Sequence, residues 1–597
     1  MRGQRRADDE DRRRGLRNRL LLVVGGLAVL VVLAGLVLAY DIWHARAALV
    51  RAEEHAQDLR RHFSDGDVTA ARSELAKLED AARVAHSHTD GPLWSAVAET
   101  PFVGRDFAAV RTVSRVLYTI STDGLRPLVD IADRVNAKAF SPQDGRIDID
   151  AIRSVTPGLQ DSAAALTQGG RQLEQIDPEG LIGPLRGPVE AFQAKLDDAR
   201  STVQAGSKAS QLIPDMLGGA ERRTYALVFQ NNAEIRSTGG LPGAFAILTA
   251  KEGRIRLGDQ GAGSDFPPFK KLSVEPSQDE QRLYSTLLTR YWGDTTLTPD
   301  FPRGAEIMRA MIRKERDEEI DGVISVDPMA LSYILEATGP VTLIDGSSLS
   351  SKNAVKRLLN DVYLEIPDAA ARDAYFAAAA RRVFTAVVSG KAGSEALIHG
   401  LAKGVGENRV LIESARPPEQ RILASTRIAG ALPGDEGTTP HVGIYYNDAT
   451  ETKLEYYLRK KTMVRAMRCT EEGAQSLIAT TVLRSIAPRN ARTLPSSILG
   501  PGTGEKRGSF RMAMTLYAPF GGEVTRLDID GEEQPLNRAE HDGLQVVIAP
   551  VLLAPGQKMT VKASIVTGKD QRDVAVLTTT PGIEATPNNV IVPSACD

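Results

Sequence analysis

The sequence predicts a multidomain α+β protein with an N-terminal transmembrane helix, a helical stalk or cap, an α/β sandwich core and a C-terminal β-sandwich. Three observations predict it. Leu20–Tyr40 (LLLVVGGLAVLVVLAGLVLAY) is 21 residues without a charge, enough at about 1.5 Å per residue to span a hydrocarbon core of roughly 30 Å. Residues 41–218 place apolar side chains at helical spacing, and strands alternate with helices from 219 to 430. From 440 to 597 short β-type runs follow one another between Gly, Pro, Asn and Asp turns.

At 597 residues the chain has room for about three or four domains. Charged residues make up 25% and hydrophobic residues 42%, which excludes wholesale disorder. The net charge of −3 carries no global basic field, so nucleic acid is not an expected partner. The charge is uneven, however. Residues 1–19 hold eight Arg against the four acids Asp8–Asp11, making that tail +4 and the remainder −7. Only Arg46 and Arg51 follow the apolar span closely. The positive-inside rule therefore puts residues 1–19 in the cytoplasm and everything from about residue 41 outside, a single-pass protein of the cell membrane. A cleaved signal peptide has an apolar core of about 7–15 residues. The Ala45-Arg46-Ala47 triplet keeps cleavage as an alternative, and a buried core helix is another.

Past the span, Leu49, Ala52, Ala56, Leu59 and Phe63 recur at 3,4,3,4 spacing, and Val68 to Ala85 continue the pattern beyond Ser64-Asp65-Gly66-Asp67. That predicts a helical hairpin with Asp67 as N-cap. His86 and His88 at its end read as polar surface. Further helices are expected over Phe102–Ile120, Pro127–Ala137, 151–175 and 183–212, with Pro214 and Gly218-Gly219 closing the region. The loop Phe140–Asp150 carries Asp144, Asp148 and Asp150, but their spacing does not match a calcium loop.

In the core, Tyr225–Gln230, Ala244–Ala250 and Arg254–Leu257 read as strands, the last two joined by a Lys251-Glu252-Gly253 turn. Helices are expected at Glu280–Tyr291, Pro302–Arg316, Pro328–Thr338, Ser350–Asp361, Ala369–Ser389, about 394–404 and Pro418–Ser425. Strands are expected at Gly322–Val326, Val341–Ile344 and Arg409–Glu413. The antiparallel hairpin implies a mixed sheet. In the C-terminal region the runs include Val442–Tyr446, Lys453–Arg459, Thr462–Arg468, Leu477–Leu483 and Phe510–Tyr517. The only cysteines are Cys469 and Cys596, with no CxxC pair and no Cys/His cluster for a structural zinc. Outside the membrane a disulfide between them is expected, with two unpaired thiols the alternative.

The loop between the first two strands holds most of the candidate chemistry. Asn231, Asn232, Glu234, Arg236, Ser237 and Thr238 precede Gly239-Gly240. Arg236 offers a planar fork suited to phosphate or carboxylate, and consecutive N–H groups near two glycines can cradle an anion. A well-capped structural loop is the equal alternative.

Several strings carry family resemblances: QNNAEIRSTGG at 230–240, TPDFP at 298–302, DGVISVDP at 321–328, ATGPV at 337–341 and YYNDATETKLEYYL at 445–458. With the late cysteines, they resemble an actinobacterial family of single-pass envelope proteins known as domain of unknown function 4012, which implies a topology and no activity. Residues 224–390 are also similar to the catalytic domain of the LytR-CpsA-Psr family, membrane-anchored phosphotransferases that move glycopolymers from polyprenyl-pyrophosphate carriers onto peptidoglycan. That resemblance implies phosphate binding by Arg236 with Arg372 as a second cation, and metal or base roles for Glu234 or Asp265, with magnesium if the site is catalytic. Asn231, Asn232, Ser237 and Thr238 complete the ligand-binding set. The Asp that follows the family's Arg-Ser is Thr238 here, and the late Arg-x-x-Arg-Gln-Gln is reduced to Arg372-Asp373-Ala374-Tyr375-Phe376. Two readings follow: an envelope protein that transfers or binds a lipid-linked glycan or cell-wall polymer, and a non-catalytic binding or scaffold protein that kept the fold.

Overall fold

The computed structural model describes residues 2–132, 145–390, 394–500 and 507–596, with residues 2–28 and Ser394 as backbone only. The protein is mixed α+β and divides into two compact units: residues 1–136 with 150–211, and 137–149 with 212–597.

The first unit is helical. Helix α1 (Arg2–Ser64) runs unbroken through the apolar stretch and is long and apolar enough to cross a membrane. Its side chains at Val29–Leu33, Leu36 and Val37 are exposed. The turn at Gly66 (φ +74°) reverses the chain into α2 (Val68–Thr89), whose N-cap Asp67 accepts from the Ala70 N–H at 2.9 Å. Ala71, Leu75 and Leu78 bury against Ala52 and Leu59, the hairpin the spacing predicts. After α3 (Pro92–Ala98) and α4 (Gly104–Thr119), a π turn at Ile120–Leu125 leads directly into α5 (Arg126–Ala132). The break expected between two helices is instead a widened turn. It admits Pro127, which lacks an N–H, without ending the helix. The expected helix end Ala137 and the loop acid Asp144 lie outside the described residues. Then follow α6 (Ile149–Leu173) and α7 (Gly183–Met216), the latter running through Pro214 and ending before Gly218 (φ +78°).

The second unit begins with β1 (Arg223–Asn231), β2 (Leu241–Lys251) and β3 (Arg254–Ala262). Glu252 and Gly253, both at positive φ, form the two-residue turn whose twist suits a hairpin. The helical stretch expected at Glu280–Tyr291 splits at Ser285 (φ +54°) into α8 (Gln278–Tyr284) and α9 (Leu287–Arg290). Next come α10 (Phe301–Arg316), β4 (Gly322–Val326) and α11 (Pro328–Thr338), with the Asp327 N-cap accepting from the Ala330 N–H at 2.7 Å. The strand expected at Val341–Ile344 shrinks to β5 (Val341–Thr342), which pairs only with β6 (Ser348–Leu349) in a small hairpin outside the main sheet. Helices α12 (Ala354–Lys356) and α13 (Val362–Glu365) flank a π turn, and α14 (Ala369–Val388) and α15 (Ser394–Gly406) precede β7 (Val410–Ser414) and α16 (Pro417–Ala424).

The main sheet has the order β3-β2-β1-β4-β7, with β1 parallel to β4 and every other pair antiparallel. Alternation sends Ala226, Val228, Phe245 and Ile247 to one face, under Phe301, Met308 and Met311 of α10. Tyr225, Leu248 and Ala250 go to the other, against Phe384 of α14.

The remainder builds two sheets around one core. Strands β8 (His441–Asp448), β9 (Leu458–Cys469), β10 (Gln475–Ser485), β11 (Phe510–Tyr517), β12 (Glu523–Ile529) and β13 (Glu532–Glu533) come first, with the short helix α17 (Ser496–Leu499) after β10. Strands β14 (Arg538–His541), β15 (Leu544–Leu553), β16 (Lys558–Val566), β17 (Ala575–Thr579) and β18 (Asn589–Val592) follow. The orders are β13-β12-β16-β10-β9 and β14-β15-β11-β8-β17-β18. Leu477, Ala563 and Ile565 from the first sheet meet Ile444, Leu516 and Val547 from the second. The expected strand at Lys453–Arg459 is mostly a 3-10 turn, Leu454–Tyr457, and its tail joins Thr462–Arg468 in the single strand β9. Cys469 and Cys596 form a disulfide, with Cα atoms 4.8 Å apart.

A buried carboxyl sits at the edge of the main sheet. Glu413 of β7 pairs with Arg309 of α10 at 3.0 Å, yet burial pushes its carboxyl up to about 7. The folded chain holds this proton at a pH where the unfolded chain has released it. The stability this proton contributes is therefore complete below about pH 4.5 and lost as pH rises through 7. Glu413→Gln is expected to flatten the fall in stability between those values, as read from urea midpoints across pH; an unchanged slope would contradict the assignment.

Candidate functional site

Residues 231–240, which connect β1 to β2, are all buried. A polar segment can leave water only if its donors and acceptors find partners, and here they come from four directions. Gln230 accepts from the Gly240 N–H at 2.8 Å and donates to Ser325 Oγ at 2.8 Å. Asn231 accepts from the Ala233 N–H at 3.0 Å and donates to Tyr363 Oη at 2.9 Å. Asn232 donates to Asp327 Oδ2 at 3.1 Å, an oxygen that also accepts from Arg409 Nη1 at 2.8 Å. The Ser237 N–H donates to Asn447 Oδ1 at 2.9 Å, while Thr580 Oγ1 donates to the Ser237 carbonyl at 3.0 Å. Gly240 has no substitute, because a Cβ there would lie 2.2 Å from the Asn231 carbonyl oxygen.

Arg236 is 3% exposed. Its Nη1 donates to the Ile235 carbonyl at 3.1 Å, and its guanidinium lies 3.5 Å from Asp294 and 3.9 Å from Asp448. Thr238 Oγ1 turns inward to Gln230 at 3.3 Å, and the Gly239 N–H donates to the Arg236 carbonyl at 2.8 Å. The N–H groups of Ser237, Gly239 and Gly240, expected to help cradle an anion, are already engaged. Asn232, Arg236, Ser237 and Thr238 thus hold the fold together, away from the cavity described next.

That cavity, of about 670 Å³, lies beside β1, β2 and β3 and against α13 and α14. Phe229, Leu241, Phe245, Trp292, Leu358 and Phe376 make most of its wall apolar. Four of the residues expected from the sequence meet there: Asn231, Glu234, Asp265 and Arg372. Lys453, Tyr363 and Asp373 join them, three residues that local pattern did not single out. Lys453 Nζ contacts Glu234 Oε1 at 2.5 Å and sits 4.8 Å from the centre of the Tyr363 ring. Arg372 lies 5.6 Å from the same ring, with Nη1 donating to the carbonyls of Ile366 at 2.9 Å and Pro367 at 2.7 Å. Tyr363 therefore carries two cations, and burial drives its phenol far above its usual range. Asp265 Oδ2 accepts from the Ala262 N–H at 2.9 Å and so braces the turn after β3. Partial burial raises the Asp373 carboxyl; neighbouring Arg372 opposes this and the charge of Asp265 adds to it.

Glu234 and Asp265, the carboxylates expected to hold a metal, are each engaged within the fold. Among the described residues no group of three or more His, Cys, Asp or Glu is placed to hold a metal ion. Glu234 is tied to Lys453, and Asp265 to a backbone N–H. What the cavity offers is an apolar slot with a charged rim of both signs.

Burial raises the carboxyls of both Asp294 and Asp448, and Arg236 is the cation that opposes this. Arg236→Ala would strand two acids in low dielectric, at a cost of about 3–5 kcal/mol. The loss is expected to be largest at neutral pH and to shrink in acid, where both carboxyls take up protons. Thermal melts of wild type and variant across pH check this, and equal stability at neutral pH would contradict it.

A comparison with curated proteins finds no match. Residues 220–363, which run from just before β1 to Tyr363 and include the buried loop, match the family described as Protein of unknown function (DUF4012), and to that family this part of the chain is similar.

Proposed function

We propose that the chain is a membrane-anchored, outward-facing protein of the cell envelope that binds a lipid-linked precursor of a cell-wall or capsular polysaccharide. The observation that carries this reading is the cavity itself: a largely apolar slot of about 670 Å³, with Arg372 and Lys453 both against the Tyr363 ring at its polar rim. In this reading the chain of the carrier lies along Phe229, Leu358 and Phe376, and its phosphate displaces Glu234 from Lys453. The Arg-rich residues 1–19, ahead of the apolar stretch of α1, support a cytoplasmic N-terminus with the bulk outside. The order of elements similar to LytR-CpsA-Psr proteins supports the same ligand class.

Binding without transfer is the reading these residues support best. Arg236 is committed to Asp294 and Asp448, and no metal-holding carboxylate set is assembled among the described residues. A transferase reading draws on Asp265 and Asp373, two carboxylates near enough to raise the proton affinity of the second. Either way the cavity is the site.

The test is a titration of the full chain in nanodiscs with a polyprenyl pyrophosphate. Ala380→Trp, which fills the cavity, is expected to abolish binding, and Arg372→Gln to weaken it by about 10- to 150-fold, the worth of one charge-assisted contact. Unchanged affinity in a folded Ala380→Trp variant would contradict the proposal.

A further inference from the structure

The two sheets of the sandwich differ in what covers them. The six-stranded sheet is packed on both sides: its outer face carries Tyr445, Tyr517 and Val546, with Leu283 of α8 against them. Among the described residues the five-stranded sheet contributes to one core, the one it shares with the six-stranded sheet. Its outward residues alternate with the core positions of β10 and β16, and Arg484, Lys558 and Lys562 stand among Ser, Thr, Ile and Val there.

Cross-strand register shows how these charges are arrayed. Arg459, Arg484 and Lys558 are direct partners across β9, β10 and β16. Like charges opposite one another cost stability, so nothing in folding favours that row. Lys461 and Arg465 lie further along β9, opposite Val482 and Ile478, and Arg468 lies opposite Ser476. Arg459 has Glu584 at 3.2 Å, and Lys562 faces Asp528, which Arg526 holds at 2.7 Å. Lys461, Arg465, Arg468, Arg484 and Lys558 are exposed, and among the described residues none has a carboxylate within ion-pairing distance. A chain with a net charge of −3 thus gathers, on one face of the five-stranded sheet, five cations without a carboxylate partner among the described residues.

We infer that this face binds a linear acidic polysaccharide, one bearing a carboxylate or phosphate on its repeating units. Neighbouring strands set cations about 4.8 Å apart, and alternate residues along a strand about 6.8 Å apart, spacings on the scale of charges along an extended polyanion. Hydroxyls of Ser476, Thr480, Thr560 and Ser564 lie between the cations and can donate to sugar oxygens. A single-stranded nucleic acid would want aromatic rings to stack on, and these rows carry none. A lipid surface would want bulky apolar wedges, and the strongly exposed apolar side chains on β9 are only Met463 and Met467. Naming a polysaccharide rests on the proposed outward placement; the charge argument does not.

The experiment uses the full chain in zwitterionic nanodiscs, polygalacturonate as the probe and neutral dextran as the control, at low and high salt. Wild type is expected to bind polygalacturonate in a salt-sensitive manner and to ignore dextran. Lys461→Gln/Arg465→Gln/Arg484→Gln is expected to bind about a hundredfold more weakly, at about fivefold per exposed contact, with an unchanged melting temperature. Ala380→Trp is expected to bind the polymer normally, which separates this face from the cavity. Equal binding by the folded triple variant, or no binding by wild type, would overturn the inference. So would capture of phosphatidylglycerol vesicles without polygalacturonate.

Discussion

The hydrogen bonds between Ser237 and Asn447 are the hinge on which the second unit depends. They join a loop of the mixed sheet to β8 of the sandwich, with the Ser237 N–H donating to Asn447 Oδ1 at 2.9 Å and Asn447 Nδ2 donating back to Ser237 Oγ at 3.1 Å. The Asp448 N–H adds a bond to the Ile235 carbonyl at 2.9 Å, and the Ile235 side chain enters the sandwich core. Breaking a buried hydrogen bond leaves its donor or acceptor unpaired, so bonds of fixed geometry disfavour other arrangements. The loop therefore specifies how the two sheet systems of this unit meet. That geometry puts Lys453, just past β8, against Glu234 and Tyr363, and so completes the rim of the cavity.

Much of the architecture was legible in the sequence because its causes are local. Helical spacing and the Asp67 cap specify the α1–α2 hairpin, the Glu252-Gly253 turn specifies β2–β3, and Asp327-Pro328 marks the start of α11. The alternation of β10 and β16 is plain to read, since only one face of each is buried. Less legible were elements whose ends depend on distant partners. The run 453–459 reads as a strand, yet Lys453 is held by Glu234 and Leu454 by the core, so the chain turns before β9 begins.

The candidate site was legible in part for the same reason. Glu234, Asn231, Asp265 and Arg372 do line one cavity, because the hairpin loop and α14 converge there. Arg236 looks from its neighbours like a phosphate ligand. Its partner Asp448 is 212 residues away, and no local pattern announces that a polar, glycine-rich loop will be buried. Lys453 and Asp373 were missed because each sits in a stretch read for its periodicity. The long apolar helix, the apolar cavity and the cations of the outer sheet are the features on which the proposed anchor, lipid slot and polymer track rest.

The loop from Ala233 to Gly240 is a buried strut rather than a mobile binding loop. Amide hydrogen exchange of the full chain measures this directly. The Ser237, Gly239 and Gly240 amides, bonded to Asn447, Arg236 and Gln230, are expected to exchange as slowly as those of β1 and β8. Exchange at the rate of an open loop, with β1 still protected, would contradict it.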